Sequence, residues 1–368
     1  MRKLKTKIGQ ILFNSQGWRT KRKIVVIESD DWGSIRIPNK EVLNELRSSG
    51  IQVEKCSYVQ NDSLEDNEDM EALYNIIEKK DNKPVITANF LTANPDFKKI
   101  KESGFTSYFN ESIDETILNR PNSDKVKDLY TQGQKAGFFI PQLHGREHLN
   151  ISRWMTDLQN NNEETRLAFE LGVFGISNNA VKQKRWSYQA AFDKVENDFG
   201  ISRVNILKDA VEDFERMFGF KSITFIAPNY VWDSKIEEIT SQLHIKYLQG
   251  GNMQRQPLDT SGRYAVKKNV LGQKNKFGQR YLFRNSSFEP SADLNKDWVN
   301  SCLSEIKSAF FWNKPAVISM HRVNFIGSIN PENRERNLKL FSELVDAIQK
   351  NWPEVEFMSS DQLAKLIK

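Results

Sequence analysis

Cysteine and histidine are both scarce in this chain, with two of the first and four of the second among 368 residues. Cys56 and Cys302 stand at no disulfide-framework or metal-ligand spacing, which excludes a disulfide scaffold and a thiolate metal cluster and leaves two reduced thiols. No apolar stretch approaches the length of a transmembrane helix. Residues 8–13 are too short an apolar run for a signal-peptide core, and no small-residue cleavage site comes after them. Internal repeats and low-complexity linkers are also missing, so a solenoid or a string of tethered modules is excluded. The expected location is cytoplasmic.

Acidic residues are absent before Glu28, while eight of the first 23 residues are Lys or Arg. The net charge of +5 therefore sits at the N-terminus, and the remainder of the chain carries −3. A body of that charge is no nucleic-acid platform. Residues 1–20 form a basic leader with Leu4, Ile8, Ile11, Leu12, Phe13 and Trp18 interspersed, a pattern able to lie on an anionic membrane surface. The plainer alternative is a solvated helix packed on the rest of the protein, so peripheral membrane association stays open.

Strand-like apolar runs lie near 23–28, 84–91, 137–143, 222–226, 245–248, 280–285, 315–320 and 355–358. Amphipathic helical segments separate them at about 40–49, 68–80, 123–135, 201–217, 233–243, 295–310 and 331–350. Short buried-type strands alternating with helices predict a parallel α/β sheet. The count fits one domain over residues 21–368, a distorted (β/α) barrel of about seven strands with helical insertions, better than a doubly wound sheet. Residues 151–200, with Trp154, Trp186 and Tyr188, read as an inserted helical cap whose aromatics could stack on sugar faces but are expected to be core. Residues 250–279 read as a long loop.

The chemistry lies at the strand ends. Asp30 and Asp31 close the first run, His144 and His148 come after the third, and His321 ends the run at 315–320. In a βα barrel these C-terminal strand ends converge on one face. One carboxylate with two imidazoles is a ligand set suited to a borderline divalent cation such as zinc. His244 precedes its strand and reads as a packing histidine. His144-Gly-Arg-Glu-His148 also matches the inverted zinc-protease signature, but that signature needs a continuous helix, and Pro141 and Gly145 argue for a strand end.

This constellation resembles the polysaccharide deacetylases of the NodB-homology type (carbohydrate esterase family 4). Asp30-Asp31 is similar to the family's first motif and His144-x-x-x-His148 to its second. Ile226-Ala227-Pro228-Asn229 stands in the place of the third, Asp297-Trp298 of the fourth, and Ser319-Met320-His321 of the fifth. The resemblance implies a hydrolase that removes an acetyl group from an N-acetylated sugar or glycan precursor with metal-activated water. Asp31, His144 and His148 would hold one divalent metal, zinc by preference. Asp30 would be the general base, His321 the general acid, and Asp297 the residue orienting His321. A backbone N–H near Asn229 or Tyr230, with Trp32 at the same mouth, would serve the substrate and its oxyanion. Ile226 occupies the position of the family's arginine, so either another cation such as Arg146 or Arg322 takes its place beside Asp30 or the base is tuned differently. Two other readings stay open: a non-catalytic, metal-retaining carbohydrate-binding barrel, and a metal-dependent amidase acting on a non-sugar amide.

Overall fold

A computed structural model describes residues 14–183, 185–196, 198, 200–251 and 253–367. The basic leader expected at 1–20 lies outside them except for its last residues. Those are tied to the body: Lys314 Nζ donates to the carbonyls of Gln16, Gly17 and Trp18 at 2.5–2.8 Å. Among the described residues no helix is long and apolar enough to cross a membrane.

All eight apolar runs form strands of one parallel sheet. In chain order they are β1 (Ile24–Trp32), β2 (Ile86–Leu91), β3 (Phe139–Gly145), β4 (Thr224–Ile226), β5 (Tyr247–Gly250), β6 (Arg280–Phe283), then β8 (Ala316–His321) and β9 (Glu356–Met358). Two further residues, Ser286–Ser287, form β7. The strand order is β6-β5-β4-β3-β2-β1-β8-β7, with β9 also pairing with the start of β1. Every residue of β1 is buried, because strands flank both its edges and helices cover the sheet.

The sheet's two edge strands, β6 and β7, are separated by only Arg284 and Asn285. Three residue steps span at most about 11 Å, so the sheet has to curl until its edges meet. Across the seam the Arg284 N–H donates to Gly250 of β5, and the next N–H, Asn285, donates to Val317 of β8. The Asn285 side chain continues the ladder, accepting from Val317 N at 2.8 Å and donating to Pro315 O at 2.9 Å. β6 and β7 are thus two halves of one stave. Counted as staves rather than strands, the barrel has the seven expected, with β9 added at its base.

The predicted helices also form, among them Lys40–Ser48, Asn67–Glu78, Val126–Ala136, Arg203–Phe218, Ser234–Gln242, Trp298–Phe311 and Pro331–Asn351. Their starts obey capping chemistry. Asp66 and Asp69 make a reciprocal capping box, and Asn39, Ser202, Asp233 and Asp297 each accept a first-turn N–H. The segment at 151–200 holds two helices, Ile151–Gln159 and Glu163–Glu170, and then irregular chain. The stretch at 250–279 differs from the loop expected there. Met253–Pro257 and Tyr264–Lys268 pair as an antiparallel hairpin, carried by backbone bonds and not by an apolar face.

Trp32 departs from its expected place at the mouth. Asp31 has φ of 73°, and the β1–β2 register shifts between Ser29 and Trp32, so a bulge turns the indole inward. The ring packs against Phe90, Phe139 and Phe325 at centroid distances of 6.3, 4.9 and 6.4 Å, with Nε1 donating to Ser29 Oγ. Trp32→Ala is expected to destabilise the fold by about 3–5 kcal/mol, read by urea unfolding. A variant as stable as the parent would contradict this placement in the core.

Candidate metal centre

Because every strand of the barrel is parallel, the ends of β1, β3, β4, β5 and β8 open on one mouth. A cavity of about 410 Å³ lies there, lined by Asp30, Asp31, His144, His148 and His321 together with Arg36, Cys56, Tyr58, Gln189, Ala227, Asn229, Tyr230 and Arg255. All five residues expected to share the mouth therefore do so.

Asp30 is bound by a cation from the seam. Arg284 grips it with two bonds, Nη2 to Oδ1 at 2.6 Å and Nη1 to Oδ2 at 2.7 Å, and gives its Nε–H to Glu28 at 2.5 Å. The same Nη1 reaches the Tyr230 hydroxyl at 3.0 Å and Ser319 Oγ at 3.2 Å. Asn89 Nδ2 adds a bond of 2.7 Å to Asp30 Oδ1. Burial would raise the Asp30 carboxyl, but Arg284, with His144 and His321, outweighs it and holds the group well below the usual carboxylate range. The cation expected from Arg146 or Arg322 comes instead from Arg284. Arg146 is occupied by Glu147 and Asp209, each at 2.7 Å, and Arg322 by Asp62 and Glu65.

Asp31 has a different environment. Its Oδ2 lies 3.4 Å from Arg36 Nη2, while Oδ1 faces His144 Nε2 at 3.4 Å and His148 Nε2 at 3.6 Å. His144 Nδ1 donates to the Ile226 carbonyl at 2.9 Å, which fixes its tautomer and leaves the Nε2 lone pair free. Burial pushes the His148 imidazole down to about 4, so it is neutral near pH 7. Asp31 Oδ1, His144 Nε2 and His148 Nδ1 are all buried without a hydrogen-bond partner. One ligand atom from each residue lies within 4.8 Å of the others. Two orphaned atoms facing each other in one buried pocket, Asp31 Oδ1 and His144 Nε2, are costly unless something binds them, and His148 Nε2 lies 3.6 Å from the same oxygen. A carboxylate and two imidazoles are donors that fit a divalent cation.

Behind Asp31 runs a buried chain of alternating charge. Arg36 bridges Asp31 and Asp62, Arg322 bridges Asp62 and Glu65, and Glu65 accepts the Gly33 N–H at 3.1 Å. This fixes the loop after β1 from beneath.

His321 stands across the cavity, its Nε2 3.9 Å from Asp30 Oδ2. Its Nδ1–H donates to Glu289 at 2.5 Å, and the Tyr58 hydroxyl lies 3.0 Å from the same nitrogen. Burial would lower the imidazole, yet Glu289, aided by Asp31 and Asp30, raises it to about 9. Glu289 therefore has the position expected of Asp297. Asp297 is exposed and is not part of the cavity lining; it caps the helix Trp298–Phe311 through Asn300. Glu147, the glutamate within the His144–His148 signature, bonds to Arg146 and Tyr108. Asn229 and Tyr230 both have φ of 56° beside the cavity, but the Tyr230 N–H is already bonded to the Ala227 carbonyl. Of the two expected oxyanion donors, only the Asn229 side keeps a backbone N–H without a backbone partner among the described residues.

No family model and no curated protein matches this chain. The fold does overlap with solved structures. A Mycobacterium smegmatis protein assigned to the polysaccharide deacetylases is 10% identical over 96% of this chain and 93% of its own, with a TM-score of 0.42. PuuE allantoinase is 9% identical over 95% and 91%, with a TM-score of 0.42. A CE4-family pseudoenzyme from Bacillus anthracis is 9% identical over 90% and 62%, with a TM-score of 0.34. Overlaps at this level carry nothing about chemistry. The site has to be read from its own atoms.

Arg284→Met strands two buried carboxylates, Glu28 and Asp30, and should cost about 3–5 kcal/mol in chemical unfolding. Asp297→Ala should cost only about 1 kcal/mol, the value of a helix cap. Equal effects of the two variants would contradict the assignment of the buried cation.

Proposed function

We propose that this protein is a metal-dependent hydrolase that removes the acetyl group from an N-acetylated sugar or glycan precursor. The observation that carries the reading is the opposition, across one cavity, of Asp30 clamped by Arg284 and His321 bonded to Glu289, beside a buried Asp-His-His triad in which Asp31 Oδ1 and His144 Nε2 face each other without a hydrogen bond. Zinc is the cation we assign to the triad, from the donor set. Bound there, it supplies Lewis-acid polarisation of a carbonyl and lowers the pKa of a bound water toward neutrality.

The chain's own residues account for the proton movements. Asp30 Oδ1 is saturated by Arg284 and Asn89, whereas Oδ2 has Arg284 on one side and the cavity on the other. Oδ2 is thus the oxygen that accepts the proton of the attacking water. Because Arg284 keeps this carboxylate charged, an accepted proton is held weakly and passes on readily. His321, kept protonated by Glu289, delivers a proton to the departing amine nitrogen as the C–N bond breaks. Water adds to the acyl carbon, and acetate and a free amine leave. The Asn229 backbone is the candidate for the oxyanion. The absence of the family's arginine at Ile226 would favour the non-catalytic alternative, whereas the bidentate Arg284 beside Asp30 favours the hydrolase. An acetylated carbohydrate is the proposed partner, and any peripheral membrane contact would come through residues 1–20.

Wild type should release acetate from N-acetylhexosamines only when cation is present. Asp30→Asn should keep the metal and lose about 10²–10⁴ in rate, while His148→Ala should lose both. An active Asp30→Asn variant would overturn the base assignment.

The sign of the pH dependence is set by His321. Its acid form predominates below about 9, so the rate should fall above that pH. Glu289→Gln removes the anion that raises the imidazole, so the alkaline limb should move toward lower pH by roughly one unit or more. An unmoved limb would show that His321 is not the proton donor.

A further inference from the structure

A second cavity, of about 940 Å³, lies apart from the metal centre in the 151–200 segment, with Thr260 of the 253–268 hairpin in its wall. Trp154 and Tyr188 of this segment are buried, as expected of core aromatics, but Trp186 is 53% exposed and lines the cavity. An indole left in water forfeits a large burial gain, so its rigid presentation calls for an explanation. Arg153 sits over the ring, 5.6 Å from the centroid, and is itself held by Asp193 at 2.8 Å and by the carbonyls of Ser187 and Lys194. Over one end of the six-membered ring, at Cζ3, lies Gly262, with φ of 72°, where any Cβ would collide with the indole. The hairpin tip and Arg153 thus fix the ring as a platform.

Planar polar groups surround that platform. Asp157, Asn162, Gln183 and Arg185 line the same cavity, and Arg185 keeps a buried Nε–H with no partner among the described residues. An apolar ring face flanked by carboxylate, amide and guanidinium groups is the chemistry that recognises a pyranose. Its C–H face stacks on the indole, and its equatorial hydroxyls bond to the planar groups. The two cavities also share a wall. Tyr188 lines this one and Gln189 lines the metal-centre cavity, and adjacent Cα atoms are only about 3.8 Å apart.

We infer that Trp186 forms a distal carbohydrate subsite and that the substrate is an oligosaccharide long enough to cross the Tyr188–Gln189 wall. The substrate's identity as an acetylated glycan rests on the hydrolase reading above, but binding at Trp186 is measurable without turnover.

The test is calorimetric titration of the full-length protein, without added metal, with N-acetylglucosamine oligomers from the monomer to the hexamer. Affinity should rise with length in wild type. Trp186→Ala should bind the longest oligomer about tenfold more weakly, a loss of roughly 1.4 kcal/mol, and the monomer unchanged. Trp186→Phe should recover most of the loss, and Gly262→Val, which displaces the ring, should reproduce it. Wild-type affinity independent of length, or Trp186→Ala matching wild type on the hexamer, would overturn the inference. Length-dependent binding through Trp186 with no acetate release from any oligomer would uphold the subsite and overturn the hydrolase reading. Acetate release with no effect of Trp186→Ala on binding would do the reverse.

Discussion

Arg284 is where the fold and the candidate site meet. It stands at the seam between the two halves of the closing stave, its backbone on β5 and its neighbour's on β8. Its guanidinium is buried between Glu28 and Asp30 of β1. A buried cation between two buried carboxylates is stable only while all partners are present, since removing one leaves an uncompensated charge in a low dielectric. Closure of the sheet therefore delivers the cation that makes an ionised Asp30 tolerable, and the ion cluster in turn holds the seam shut.

The same logic separates two adjacent aspartates. Asp30 is saturated by Arg284 and Asn89 on one oxygen and shares Arg284 on the other. Asp31, rotated away by its left-handed backbone, meets only Arg36 and keeps one oxygen for the two imidazoles. A φ of 73° at a non-glycine position is of the kind that persists where the surroundings over-determine it. Here those surroundings are the alternating chain from Arg36 through Asp62 and Arg322 to Glu65. One strand end thus offers a held carboxylate and a ligating one.

Much of this was legible in the sequence, for identifiable reasons. Buried parallel strands have to be continuous apolar runs, so Ile24–Ile27 and Phe138–Leu143 announce themselves, and parallel strand ends have to converge, so Asp31, His144, His148 and His321 could be placed together. Arg284 was illegible because Phe283-Arg284-Asn285 reads as the end of one strand, and nothing local says that the chain crosses to the opposite edge. Glu289 lies 32 positions before its partner His321 and carries no motif, whereas Asp297 matched a motif and proved to be a helix cap. Trp32 was misplaced because a bulge reverses the facing of every side chain beyond it. The hairpin at 253–268 escaped because Met253-Gln-Arg-Gln-Pro257 shows no apolar alternation.

The central claim is that Asp31, His144 and His148 hold a divalent cation. Anomalous diffraction from crystals grown with zinc, collected on both sides of its absorption edge, tests this most directly. The account requires one strong peak within bonding distance of Asp31 Oδ1 and both imidazoles. A map with no peak there, or with zinc bound only elsewhere, would contradict it.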